Sequence, residues 1–401
     1  MTKQLNSIFL TGATGVLGAR LLKELLLRGD THIFCLVRAK SLTEGQERLR
    51  SFLRIYDTES KTIAAFETRV TAVLGDVRSE HLGLTEEEHH HLQKQVDLTI
   101  HAAANTNLLA KWKNIEPINV GGTHNVIEFC LGTKNKALSY VSTYTVVGSR
   151  GFDSTLVFRE TDLDVGQTFE HLSYQQSKFN AEKLIHSSTE RGLNWKIFRP
   201  GQIFGDSRTG HYPQGETKVS GLFYDIFKTS IETNIALNCS NYFFDVVPVD
   251  YVSKGIVRLS LDRTQTHETY HLTNPDLKSF QQVLQLVADQ GYPITFVSEA
   301  HFQNRLVENG FHKNGEPYHS SALLAFRWWY FKAGFSFENS SVIDCTFTKS
   351  VLEPLGLTCP KIDHELIATY TRFCINNGYF PGPAEEKPKL DFDRAVALSG
   401  V

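Results

Sequence analysis

Tyr174 and Lys178 stand four residues apart in Ser173-Tyr174-Gln175-Gln176-Ser177-Lys178. That spacing puts both side chains on one face of a helix. An unperturbed tyrosine ionises at about 10, too high for efficient proton exchange at neutral pH. A neighbouring ammonium favours the phenolate and lowers that value, so Lys178 is expected to tune Tyr174 as a proton donor. The pair alone is common by chance. It gains weight from Tyr140-Val141-Ser142-Thr143-Tyr144, an apolar run that ends in hydroxyls. Ligands of open α/β sheets bind beyond the carboxyl ends of the strands. A hydroxyl there could bond a substrate carbonyl while Tyr174 supplies the proton. Strand alternation sends Ser142 and Thr143 to opposite sides, and the residues alone leave the choice between them open.

A second group of residues reads as a phosphate cradle. Thr11-Gly12-Ala13-Thr14-Gly15-Val16-Leu17-Gly18 lies between the apolar run Ser7-Ile8-Phe9-Leu10 and an amphipathic stretch with Leu17, Leu21, Leu22, Leu25 and Leu26 at helical spacing. Such a turn needs Gly12 to bend, Gly15 to admit a pyrophosphate and Gly18 to pack helix on strand. The helix N-terminus then offers unpaired N–H groups to the phosphates. The next apolar run, His32-Ile33-Phe34-Cys35-Leu36-Val37, ends in Arg38, twenty residues after Gly18. An acidic residue there would hold the ribose 2′-hydroxyl of NAD, whereas arginine accommodates the 2′-phosphate of NADP. Arg38 is the first candidate for that phosphate and Arg48 the second, because a guanidinium fork suits phosphate. Lys40 and Arg50 read as solvated charges.

These residues need a scaffold, and the wider pattern supplies one. Through the first two hundred residues apolar runs near 7–11, 32–37, 69–74, 96–101, 137–143 and 194–199 alternate with helical stretches. The alternation predicts a doubly wound parallel α/β Rossmann sheet. A chain of 401 residues exceeds the size at which one core stops growing, so a second lobe is expected. After Pro200 the texture turns aromatic and irregular, which suggests a smaller, mainly helical C-terminal substrate lobe. The expected division is 1–200 for the NADP-binding domain, with a return segment near 240–275, 201–383 for the substrate lobe, and 384–401 for a tail or linker.

With these motifs in place, the chain resembles the extended short-chain dehydrogenase/reductases. It is most similar to the thioester reductase domains of nonribosomal peptide synthetases, polyketide synthases and carboxylic acid reductases. The resemblance rests on residues 11–18, Cys35-Leu36-Val37-Arg38-Ala39, Gly75-Asp76-Val77, His101-Ala102-Ala103-Ala104, Asn119-Val120-Gly121-Gly122-Thr123, Val141-Ser142-Thr143 and Tyr174 with Lys178. It continues through Phe198-Arg199-Pro200-Gly201-Gln202-Ile203-Phe204-Gly205-Asp206-Ser207-Arg208-Thr209-Gly210 and Val247-Pro248-Val249-Asp250-Tyr251. It implies Thr143, Tyr174 and Lys178 as the catalytic triad, with Lys178 also on the nicotinamide ribose. It also implies NADPH bound by Gly12, Thr14, Gly15, Val16, Leu17, Gly18, Arg38, Arg48, Asp76, Val77, Ala102, Ala103, Ala104, Ser142, Tyr174, Lys178, Pro200 and Gly201. Asp76 and Val77 would meet the adenine, and Pro200 and Gly201 would lie beside the nicotinamide. The implied reaction reduces an acyl or peptidyl thioester, tethered by phosphopantetheine to a carrier protein, to an aldehyde, with further reduction to an alcohol left open. A fatty acyl-CoA reductase and a sugar-nucleotide epimerase or dehydratase are the enzymatic rivals, and a non-catalytic NADP sensor is the other. The lobe after Pro200, including Gly205–Gly210, would receive the carrier, with Lys111, Lys113, Arg327 and Lys332 as candidate docking cations.

The remaining features set limits. A net charge of −3 argues against broad nucleic-acid binding. The absence of a long apolar run or a secretory leader fits a cytoplasmic protein, as do six scattered cysteines with no Cys-x-x-Cys pair. Glu86-Glu87-Glu88-His89-His90-His91 reads as a solvated helix, because adjacent helical residues diverge, and no metal is expected. Trp328-Trp329-Tyr330 reads as packing. His211 and Tyr212 read as loop anchors or as the border of an acyl channel. His101 is expected to orient the cofactor loop through backbone contacts rather than to titrate.

Overall fold

The computed structural model describes residues 5–383, apart from 58, 109, 213–220, 263 and 309–338. Arg327, Lys332, Trp328, Trp329, Tyr330 and the expected tail 384–401 lie outside the described residues.

The short apolar runs form a seven-stranded parallel sheet. Its strands are β1 (Ser7–Thr11), β2 (His32–Val37), β3 (Val70–Leu74), β4 (Leu98–His101), β5 (Ala137–Val141), β6 (Asn194–Pro200) and β7 (Glu268–Leu272). Their spatial order is β7-β6-β5-β4-β1-β2-β3. The winding direction reverses between β1 and β4, which opens the crevice where such sheets bind ligands. Six strands fall at the expected positions. The seventh comes from the return segment and pairs Glu268 with Lys196 through Leu272 with Pro200.

Alternation along the strands fills both faces, as a parallel sheet requires. Ile8 and Leu10 point to the face covered by α1 (Val16–Leu26), where Leu21, Leu22 and Leu25 meet Val252 and Ile256 of a later helix. Phe9 points the other way, into a core with Val126, Ile127 and Phe129 of α2 (Gly122–Leu131) and Ala181 and Ile185 of α3 (Ser173–Ser187). The catalytic candidates on α3 therefore lie on the face that this helix buries, one to three turns before Ala181 and Ile185.

The second lobe has its own core around Phe204. Its ring packs against Tyr224 and Phe227 of α4 (Leu222–Thr233) and Tyr370 of a later helix, at centroid distances of 5.1, 5.5 and 5.5 Å. The chain crosses back to the sheet twice. First, α5 (Val249–Leu261) lies on α1 and leads into β7. Later, Val342–Ile343 pairs with Val157–Phe158, and α6 (Thr346–Leu352) buries Leu352 in the sheet core. Between these crossings α7 (Phe280–Ala288) adds Phe280, Val283 and Leu284 to the second core. Afterwards α8 (His364–Asn376) adds Ile367, Tyr370 and Cys374.

Gly205–Gly210 fastens the two parts together. Asp206 meets Arg20 of α1 at 3.3 Å, and Arg20 also meets Glu24 at 2.6 Å, all three buried. The Ser207 amide and hydroxyl donate to Asp250 of α5 at 2.8 and 3.1 Å. His211 packs on Phe373 at 5.0 Å and Tyr212 on Tyr224 at 4.9 Å, so both act as loop anchors. The histidine-rich stretch forms a helix, Glu86–Gln95, closed by a Thr85–Glu88 capping box. Its histidines diverge, His89 onto Phe129 and His90 to the Thr133 hydroxyl.

Candidate active site

The turn after β1 is built as a cradle. Gly12 has a φ of +78°, and a Cβ there would lie 2.6 Å from the Ala103 nitrogen. A Cβ at Gly18 would lie 1.9 Å from the Gly12 oxygen, so no other residue lets α1 approach the turn this closely. At Gly15 a Cβ would touch only the Gly12 oxygen, at 3.4 Å, and the residue is exposed. Gly15 caps α1 without a side-chain bond, and the first turn of the helix carries no acidic residue. The N–H groups of Val16, Leu17 and Gly18 thus have no helical acceptor, which suits an anion.

A cavity of about 790 Å³ opens from this turn, within the roughly 300–1,000 Å³ usual for small-molecule sites. Gly12, Thr14, Gly15, Arg38, Arg48, Asp76, Val77, Ala102, Ala103 and Ala104 line it. Of the expected cofactor residues, Val16, Leu17, Gly18, Ser142, Tyr174, Lys178, Pro200 and Gly201 do not line it, nor does Thr143. Arg38 is exposed at the end of β2, and an Arg48 guanidinium nitrogen donates to its carbonyl at 2.9 Å. Arg78, which no sequence motif singles out, also lines the cavity and grips Asp76 with three side-chain hydrogen bonds of 2.7–3.1 Å. Burial works against the Asp76 carboxylate, but the Arg78 bonds outweigh it and hold its pKa below the ordinary range. From the second lobe, Gly221 and Asp225 complete the wall. Burial raises Asp225 to about 6, and the Tyr379 hydroxyl donates to it. The arginine side chains on its wall, the glycine cradle and the open helix N-terminus fit a dinucleotide.

His101 holds the loop that forms the cavity floor. The Ala103 amide donates to the Thr11 hydroxyl at 3.1 Å, and that hydroxyl lies 2.7 Å from His101 Nδ1. His101 Nε2 lies 3.3 Å from the Thr123 hydroxyl, which donates to the Asn119 carbonyl at 2.6 Å. The directions close only if the neutral ring carries its proton on Nε2 and accepts from Thr11 at Nδ1. Burial, aided by the Lys178 charge, pushes His101 down to about 3. It orients the loop, as expected, but through hydroxyls rather than directly through backbone. Asn119 adds a clamp, accepting from the Asn105 amide at 2.7 Å and donating to the Ser177 hydroxyl of α3 at 2.8 Å. It sits in a π-helical turn, Pro117–Gly121, a distortion frequent at functional sites.

The two hydroxyls left open by the residues alone have different contacts. The Ser142 hydroxyl donates to Glu182 in the buried interior. Thr143 caps the following turn by accepting from the Thr145 amide at 3.2 Å, lies 3.0 Å from the Thr145 hydroxyl, and is near enough to Tyr174 to act on its pKa. The expected effect of Lys178 on Tyr174 does not hold. Burial raises Tyr174 above the ordinary tyrosine value, and the group that opposes the rise is Thr143. Lys178 instead donates to the Val141 carbonyl at 2.7 Å and the Tyr140 hydroxyl at 3.2 Å, with its charge over the Tyr140 ring. Burial brings Lys178 down to about 7, with Glu182 holding it up. Helical spacing predicts a shared face, but the nearer acceptors on β5 take the ammonium. Gly201 is fixed by its neighbour, because a Cβ there would fall 1.5 Å from Asp245 Oδ2. Burial in turn pushes Asp245 up to about 7, against the Asn274 and Gln202 amides.

Sheet order, glycine cradle and cavity together define a Rossmann-type dinucleotide-binding protein with a hydroxyl-bearing centre at the end of β5. Residues 10–256 match the family described as Male sterility protein. The chain is 30% identical over 375 residues to a linear gramicidin synthase polypeptide of Brevibacillus parabrevis, a match covering 94% of this chain and 7% of that protein. It is 26% identical over 408 residues to the L-2-aminoadipate reductase large subunit of Penicillium chrysogenum, covering 94% of this chain and 28% of that one. It therefore spans well under a third of these relatives. The crystal structure of the terminal R domain from the myxalamid PKS-NRPS biosynthetic pathway superposes with a TM-score of 0.84 at 31% identity, covering 96% of this chain and 94% of that domain. The chain belongs to the male sterility protein family, among the thioester reductase domains of the extended short-chain dehydrogenase/reductases. No helix among the described residues is long and apolar enough to cross a membrane.

Proposed function

We propose that this chain is an NADPH-dependent reductase of acyl or peptidyl thioesters held on a carrier protein through phosphopantetheine, releasing an aldehyde. The observation that carries the reading is the grouping of the Thr143 and Tyr174 hydroxyls at the carboxyl end of β5 with Lys178 of α3, in a fold whose glycine turn after β1 opens a cavity lined by Arg38 and Arg48. Membership among reductase domains of multidomain synthetases supports the carrier-bound substrate.

Gly12, Thr14 and Gly15 with the α1 N-terminus would hold the pyrophosphate, Arg38 and Arg48 the 2′-phosphate, and Pro200 and Gly201 the nicotinamide side. NADPH, when bound, supplies the hydride that adds to the thioester carbonyl carbon. Thr143 and Tyr174 donate hydrogen bonds to the carbonyl oxygen, where negative charge develops. Tyr174, kept protonated by burial, passes its proton to that oxygen as general acid. Lys178 spends two of its three N–H donors on Val141 and Tyr140, and the third is assigned to the ribose. The thiohemiacetal hydroxyl then returns its proton to Tyr174 as the carbonyl re-forms and the carbon–sulfur bond breaks, and the expelled thiolate takes a proton from solvent and leaves as the free phosphopantetheine thiol.

One acyl group presented to the protein on a carrier protein, on coenzyme A and on a short thiol tests the reading, with NADPH or NADH and product detection by mass spectrometry. Aldehyde formed with NADPH, most efficiently from the carrier, is expected. Equal efficiency on all three would replace the carrier by a diffusible thioester, and no aldehyde from any would refute the proposal.

A further inference from the structure

Behind the Thr143–Tyr174 pair lies a buried charge network with no part yet in the chemistry. Arg199 of β6 grips Glu182 of α3 through Nε and Nη2, at 3.1 Å to Oε1 and 2.7 Å to Oε2. The Ser142 hydroxyl at the end of β5 donates to the same Oε1. Arg199 Nη1 donates to His271 Nε2 of β7 at 3.1 Å, and His271 Nδ1 donates to the Asp344 carbonyl at 2.7 Å. That pair of bonds fixes His271 neutral, and burial keeps it so, down to about 3. The guanidinium also stacks over the Phe158 ring at 5.0 Å. Glu182, Arg199 and His271 are at most 1% exposed.

Three of its members stand next to a group placed in the reaction. Ser142 precedes Thr143, Arg199 precedes Pro200, and Glu182 lies one helical turn beyond Lys178. A buried ion pair adds little net stability over an apolar pair of the same shape, so stability alone gives no reason for this one. We infer that Glu182 is a positioning residue for the proton-delivering centre: through Ser142 it sets Thr143, and through its charge it keeps Lys178 the cation that orders the ribose side. The inference rests on the triad reading given above. The titratable groups acting on Lys178 are Tyr140 from β5, His101 from β4 and Glu182 from its own helix. His101 is neutral at every working pH, the Tyr140 hydroxyl stays protonated, and the one further charge in the network, Arg199 of β6, is divided between Glu182 and His271, so the group that holds Lys178 up is Glu182.

Four variants of the full chain test this: Glu182→Gln, Glu182→Leu with Arg199→Met, Ser142→Ala, and Tyr174→Phe as reference. Melting temperature, turnover against pH, and the titration of Lys178 by carbon-13 lysine NMR without cofactor are measured on each. Glu182→Gln strands the Arg199 charge and is expected to lower the melting temperature. The apolar pair should restore it, yet in both variants Lys178 should titrate at least about one unit lower, with turnover at pH 7.5 down about tenfold or more. Ser142→Ala, which keeps the ion pair, should lose several-fold in kcat with melting temperature and the KM for NADPH unchanged. Recovery of turnover together with stability in the apolar pair, an unmoved Lys178 titration, or full kcat in Ser142→Ala would each overturn the inference. Normal turnover in Tyr174→Phe would instead overturn the triad reading, while the NMR titration would still report the hold of Glu182 on Lys178.

Discussion

Removing the Arg38 guanidinium should cost NADPH affinity and leave NADH almost untouched, by an amount the cavity wall sets. Of the three arginines on that wall, Arg78 is committed to Asp76, and Arg48 has one nitrogen on the Arg38 carbonyl. The Arg38 side chain lies exposed at the end of β2, where it can turn to an incoming phosphate. A charge-assisted hydrogen bond is worth about 1.5–3 kcal/mol, or roughly ten- to a hundredfold in affinity. Exposure places Arg38 at the low end, so Arg38→Ala should raise the Kd for NADPH about tenfold. Arg38→Asp adds repulsion and should reach about a hundredfold. Arg48→Ala removes a second contact and the bond that steadies the strand end, and in combination with Arg38→Ala it should approach the aspartate effect. NADH lacks the phosphate and should shift less than about twofold. Screening over about 8–10 Å at physiological salt should weaken NADPH more steeply than NADH as salt rises. Fluorescence titration of both nucleotides at two salt concentrations reads all of this. A parallel loss of NADH affinity in Arg38→Ala, or equal affinities in the unaltered protein, would refute the assignment.

Tyr174→Phe should keep the fold and NADPH binding while turnover falls by about 10²–10⁴-fold, the usual range for a lost general acid, as measured by NADPH consumption with a carrier-bound thioester. Acid should destabilise the protein early. His101 and His271 are each held neutral down to about 3, whereas an unfolded histidine takes its proton near about 6.5, so the unfolded chain binds more protons in that window. Stability then falls as pH drops from about 6 towards 3, by up to about 1.4 kcal/mol per pH unit for each ring. Urea unfolding at stepped pH should show a shallower slope in His271→Gln. Gly18→Ala forces a Cβ to 1.9 Å from the Gly12 oxygen. It should cost about 1–3 kcal/mol of stability and most nucleotide binding, seen as a lower melting temperature that NADPH no longer raises.

Where a local pattern decides the outcome, the sequence is readable. Six strands with apolar runs, the glycine turn, Arg38 and the helix bearing Tyr174 and Lys178 all depend on neighbours a few residues away. The acceptors of Lys178 do not. They lie on β5, brought alongside by packing that helical spacing cannot express, and so the expected Lys178–Tyr174 coupling fails. Ser142 and Thr143 separate only once their different neighbours on α3 are seen, Glu182 for the first and Tyr174 for the second. Arg78 stands one residue beyond the Gly75-Asp76-Val77 motif, and its place on the cavity wall shows only in the fold. Glu182 has a faint signal, an acidic residue four positions beyond Lys178 on one face, and Arg199 another, a charge inside an apolar strand. Gly205–Gly210 suggests a carrier-facing stretch, yet its Asp206 and Ser207 turn inward to α1 and α5.

The return of the chain to the sheet also sets a timetable for synthesis. Strand β6 emerges with Pro200, but its outer partner β7 is complete only at Leu272. At an elongation rate of about 5–20 residues per second, that edge stands unpaired for roughly 4–14 s. During that interval an apolar strand containing Trp195, Ile197 and Phe198 offers its free N–H and C=O groups to any passing chain. The wait for the last stitch is about twice as long at the same rate, because the Asp344 carbonyl that fixes His271 and the Leu352 side chain that seals the core arrive later still. Expression at low temperature slows synthesis and lengthens both waits. Better yields are therefore expected from a holdase chaperone that shields β6 than from cooling alone.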